Sequence, residues 1–148
     1  MKNDRSQQSR RGSVFVELAL SSGLLFLLFF GVVDFARLFA AADMVADSAC
    51  AATQYGALSP AHYGDFTGMQ NAALTDAMNP PNMTAVASQF CTCSIGGSHL
   101  SCPTDCGGGS SGQMYLEVDV TLPFSTLISW PGIGGTMNLS RTSIVRVQ

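Results

Sequence analysis

Lysine is all but absent from this sequence: Lys2 is the only one, and charged residues of every kind make up 11% of the chain. Soluble globular domains carry roughly 25%. Together with 47% AVILMFWYC residues, that deficit points towards a membrane. A body without lysine also argues against nucleic-acid partners, because phosphate contacts need Lys and Arg. Catalytic patterns are missing too. His62 and His99 stand alone in loop-like sequence, with no HExxH and no local Ser, His and Asp arrangement. The chain is therefore read as a non-enzyme that needs no cofactor. Asp43 and Asp47, one helical turn apart, are read as a solvated helix face.

The charge that is present is placed unevenly. Lys2, Arg5, Arg10 and Arg11 against Asp4 give residues 1–12 a charge of +3, so the remainder of a chain of net charge −3 carries −6. A basic head before an apolar run is the positive-inside arrangement, which keeps the N-terminus in the cytoplasm and sends the rest across.

Between Leu18 and Val33 the sequence reads LALSSGLLFLLFFGVV, without a charge; extended back to Val14, the run holds only Glu17. At ~1.5 Å per residue it spans ~30 Å, the hydrocarbon core of a bilayer. Gly and Pro are absent from Val32 to Tyr55, and Asp34 and Arg37, three apart, can pair on a helix face. Gly56, with Pro60 beyond it, reads as a stop. One helix is expected from about Val14 to about Tyr55, half in the bilayer and half projecting. Phe26, Phe29, Phe30, Phe35 and Phe39 would face either lipid or a packing partner, and Ser21, Ser22 and Gly23 offer a small patch for close helix approach.

Pro60, Gly64, Gly68 and Pro80-Pro81 punctuate the next stretch of chain, leaving room for a short Ala-rich helix around Met69 to Met78. The glycines and serines from Gly96 to Gly112 read as a loop ordered by crosslinks. Beyond it YLEVDVTL alternates, with Leu116, Val118, Val120 and Leu122 on one face, as a half-buried strand ended by Pro123. A loop through Trp130 and Pro131-Gly132 leads to a second β-rich segment, MNLSRTSIVRV. The fold class is α+β: a long N-terminal helix, its first half transmembrane, then a small extracytoplasmic domain with a short helix, a Cys/Gly-rich loop and an antiparallel sheet that needs the helix as packing partner.

Cys91, Cys93, Cys102 and Cys106 form C-x-C-x8-C-x3-C. In an exported domain this reads as two disulfides, three pairings being open. Zinc is the competing reading, but the spacing is not the paired C-x2-C of structural sites, so no metal is assigned. Cys50, the odd one, is read as a buried thiol in the helix in preference to an intermolecular link.

Glu17 is the anomaly. Insertion scales charge ~2.5–3.5 kcal/mol for the comparable Asp at a helix centre, less near an end, and a plain anchor has no need of it. A cut between Gly12 and Ser13 would make Glu17 the fifth residue and create an amino group one turn away, a cation for the anion, at the end of a helix whose dipole favours negative charge.

A basic leader, Gly12 at a cleavage junction, Glu at mature position five and a hydrophobic helix resemble the class III signal peptide of type IV pilins and pseudopilins. Within that group, "RRGSVFVELALSSGLLFLLFFGVVDFARLF" and the ending "YLEVDVTLPFSTLISWPGIGGTMNLSRTSIVRVQ" resemble TadE-like proteins of the tight-adherence (type IVc pilus) system. Leu18 stands where major pilins of that system tend to have Tyr, which favours a minor pilin or pseudopilin. The resemblance implies a pilin-like division into leader 1–12, helix 13–56 (transmembrane to about 33) and head 57–148. It implies processing by a prepilin peptidase at Gly12 and Ser13, an assembly role for Glu17, a place in the bacterial inner membrane or a pilus, and partners among other pilin and pseudopilin subunits and the pilus assembly platform. Two readings compete: a permanently anchored single-pass protein with a periplasmic binding domain, and a secreted domain released near Ala42.

Overall fold

The computed structural model describes residues 4–94, 96–107, 111–128, 132 and 134–147, with side chains described from Val14 onward. One helix, α1, runs unbroken over Asp4–Ala57, 54 residues and roughly 80 Å at 1.5 Å per residue. It starts ahead of the expected Val14. The residues before that point include Arg and Gln, good helix formers, and no proline, so nothing in them halts a helix.

A single 3-10 turn, Pro60–His62, separates α1 from α2, Phe66–Asp76. The short helix, expected at Met69–Met78, begins earlier because Asp65 caps it, its carboxylate accepting the Gly68 N–H at 2.9 Å. It ends where Met78 and Asn79 turn left-handed, at φ 60° and 53°.

Three antiparallel strands come next, in the spatial order β1-β2-β3: Thr84–Thr92, Gln113–Ser125 and Thr136–Arg146. β2 is central. Its register sets Ala87 against Val118 on one side and Val118 against Ser143 on the other. Pro123 does not end this strand as expected but lies inside it, opposite Asn138. The reason is local: the β1 ladder stops at Thr84↔Thr121, so at Pro123 the strand has a neighbour on one side only, the half-edge situation in which proline is tolerated.

Leu116, Val118, Val120 and Leu122 do face one way and are buried, against Val45, Ala49 and Ala52 of α1 and Met69 and Ala73 of α2. The α1 residues recur at helical spacing and are mostly small, so the helix lies close to the sheet. Gly56, expected as a helix stop, sits inside α1 and is buried. A Cβ there would stand 2.7 Å from Leu116 Cδ1 and 2.9 Å from Met69 Sδ; the glycine is a close-approach residue.

Only the second half of α1 takes part in this core. From Val14 to Val32 the large apolar side chains are exposed, Leu20 at 74% and Phe29 at 62%. By length and composition this helix is able to cross a membrane, and none of its most apolar window is buried.

Candidate functional site

The residues singled out in the sequence fall at opposite ends of the molecule. Gly12 and Ser13 lie within α1, and Glu17, one turn further on, is exposed with apolar neighbours Val16 and Leu18 that are also exposed. Among the described residues no side chain pairs with this carboxylate. Whatever neutralises it in a bilayer comes from another chain, from the chain's own end after a cut, or from the interface.

The next acid on the helix is handled differently. Asp34 ends the charge-free run and is 4% exposed. Its carboxylate accepts the Leu127 N–H at 2.9 and 3.2 Å and the Ile128 N–H at 3.4 Å, and Arg37 Nη1 donates to it at 3.3 Å. The Arg37 guanidinium also stands 5.5 Å from the centre of the Phe124 ring, within cation–π range. The helix pair expected between Asp34 and Arg37 is thus present, and it belongs to a larger latch tying the β2–β3 loop to α1. Sequence reading missed the long-range part, since nothing local marks a contact spanning 93 residues. The available signal was an acid at the end of an apolar run, a placement that asks for hydrogen-bond donors.

Beyond the latch, β3 runs along the helix. Thr53 Oγ1 and Ser143 Oγ are 2.9 Å apart, and the Tyr63 hydroxyl donates to the Val147 carbonyl at 3.0 Å. Near the end of α1 the Tyr55 hydroxyl donates to the Asp65 carboxylate at 2.9 Å. The Gly68 N–H and then this hydroxyl hold the Asp65 carboxyl below its ordinary value, while the hydrogen bond to Asp65 raises the Tyr55 phenol above its own.

The four clustered cysteines lie at the far end of the head. Cys91 is bonded to Cys102 and Cys93 to Cys106, each with Cα atoms 5.3 Å apart. These bonds fold the glycine-rich segment back on β1, where Cys91 and Leu100 exchange backbone hydrogen bonds at 2.9 and 2.8 Å. His99, isolated in sequence, stacks on Phe90 with ring centres 3.8 Å apart, and Phe90 stacks in turn on Tyr115 at 5.3 Å. Cys50 is not the buried thiol expected: it is exposed, because the core face of α1 runs through Val45, Ala49 and Ala52. Its sulfur accepts from Gln54 Nε2 at 3.1 Å. Asp43 and Asp47 are both exposed on the helix. Among the described residues no group of three His, Cys, Asp or Glu side chains is placed to hold a metal ion.

What the arrangement offers is a surface for packing: an uncovered apolar helix with one carboxylate, joined to a stapled head. The family described as TadE-like protein has a model that matches residues 12–53, bearing out the resemblance read in the N-terminal part of the sequence; the ending lies outside the match. The match covers Gly12, Ser13, Glu17, Asp34 and Arg37 and stops where α1 nears its end. No curated protein and no solved structure matches the chain.

Proposed function

We propose that this chain is a structural subunit, a minor pilin or pseudopilin of a Tad-type pilus. A prepilin peptidase cuts it between Gly12 and Ser13, and it is drawn from the inner membrane into, or to the base of, a pilus that supports surface adherence. The N-terminus lies in the cytoplasm and the head on the other side, with other pilins, pseudopilins and the assembly platform as partners.

The observation that carries this reading is Glu17. It is the one ionisable residue between Val14 and Val33, it is exposed, and it falls within the family match, one turn from the proposed new terminus. Once the cut is made, the amine of a neighbouring subunit is a suitable counter-charge. In a medium of low dielectric such a pair fixes register, because a mismatched neighbour leaves both charges bare. The apolar flank of α1 then packs on other helices instead of lipid.

Glu17→Ala tests the role. In cells carrying the pilus machinery, the variant is expected to insert in the membrane and reach wild-type abundance there, yet to be depleted from the sheared surface fraction relative to wild type. Equal recovery of both in that fraction would count against Glu17 as an assembly contact.

A further inference from the structure

The latch fixes the head's position relative to the bilayer. Residues Val14 to Val33 fill ~30 Å of hydrocarbon, and Asp34, the next residue, holds the backbone amides of Leu127 and Ile128. The start of the β2–β3 loop is therefore pinned at the level where the apolar span ends. The loop closes on itself just above, the Thr126 N–H donating to the Gly135 carbonyl at 3.1 Å. Despite the latch, the Leu127 side chain is 58% exposed, and Phe35 and Phe39 at the same level of the helix are 54% and 66% exposed. Gly31 and Leu27 precede Asp34 by three and seven residues and so share its helix face. They help line an open apolar hollow of about 420 Å³, with Leu28, Val32 and Phe35, directly below the latch.

We propose that the start of the β2–β3 loop, at Leu127, is a second membrane contact of the head: held by Asp34, it rests in the interface of the leaflet on the head's side, with Leu127 among phospholipid acyl chains. The partner is lipid because the exposed apolar side chains of the span continue at this level in Phe35, Phe39 and Leu127, with the half-exposed Arg37 among them. A head held this way lies against the bilayer, and leaving the membrane requires its loop as well as its helix to be withdrawn. The inference needs only that α1 spans the membrane, so it holds for a pilin and for a permanent anchor alike.

The test uses the full chain in phosphatidylethanolamine and phosphatidylglycerol vesicles. Spin labels are placed at Leu24→Cys and at Leu127→Cys, each in a Cys50→Ser background, and at native Cys50, roughly 24 Å along the helix beyond Asp34. Collision with oxygen, which partitions into lipid, is compared with collision with a water-soluble nickel chelate. The label at 127 is expected to favour oxygen several-fold over the label at 50, as the label at 24 does, and Asp34→Ala is expected to abolish that preference at 127 alone. A label at 127 as open to nickel as that at 50, with 24 in lipid, overturns the inference and spares the membrane span. A label at 24 in water overturns the span itself. Retention of the lipid signal at 127 in Asp34→Ala overturns the latch as its cause.

Discussion

Asp34 joins helix to loop through charge-assisted hydrogen bonds, which are roughly twice as strong as neutral ones. Replacing it with alanine leaves the Leu127 and Ile128 amides and the Arg37 guanidinium without this acceptor. Leaving partly buried donors unmatched costs about 1–3 kcal/mol. Asp34→Ala should lower the stability of the head by that order in urea unfolding of the detergent-solubilised chain, and Asp34→Asn by less, since an amide oxygen still accepts. Asp65 makes a pH prediction. Its folded carboxyl titrates below the unfolded value, so it stabilises the fold above the ordinary carboxylate range of ~3.9 and loses that contribution as pH falls through its folded value. Unfolding midpoints measured from neutral to acid pH should therefore drop more steeply for wild type than for Asp65→Asn. Parallel curves would show that the carboxylate does not stabilise the join between α1 and α2.

Among the elements, α1 has two halves with different surroundings, one uncovered and apolar, the other a narrow small-residue face under a sheet. Gly56 is where that face comes closest. Gly→Ala inside a helix ordinarily gains about 1 kcal/mol, whereas overpacking a filled core costs about 1–3 kcal/mol. With Leu116 and Met69 within 3 Å of the new methyl group, Gly56→Ala should destabilise, and a rise in the urea midpoint would contradict the packing described. The same glycine shows the limits of sequence reading: a glycine near a helix end signals a stop, and only the strand that crosses it reveals the other cause. α1 and β2 were legible because their signals are strong and local, a long charge-free run in one and strict alternation in the other. β1 was missed. TAVASQFCT pairs small and polar residues with few β-branched ones, so its strand state comes from the β2 ladder and from the Cys91–Cys102 and Cys93–Cys106 bonds, which are long-range constraints. The Asp34 latch was hidden for the same reason, while Glu17 stood out as a lone carboxylate in an apolar run.

The whole molecule is a spine with a rigid end. The second half of α1, the three strands and α2 share one core, so a force that moves the helix along its axis moves the head with it. The uncovered half of α1 suits both environments a pilus subunit meets, lipid before assembly and other helices after. Under the proposed function, removal of residues 1–12 would provide the amine to pair with Glu17 as the chain passes from one to the other. The most direct measurement is the N-terminal residue of the protein recovered from membranes, by mass spectrometry, with and without the prepilin peptidase. A chain beginning at Ser13 is expected when the peptidase is present and the intact Met1 form when it is absent. An intact Met1 form in both samples would contradict it and leave a permanent membrane anchor, and a start near Asp43 would leave a secreted head without its spine.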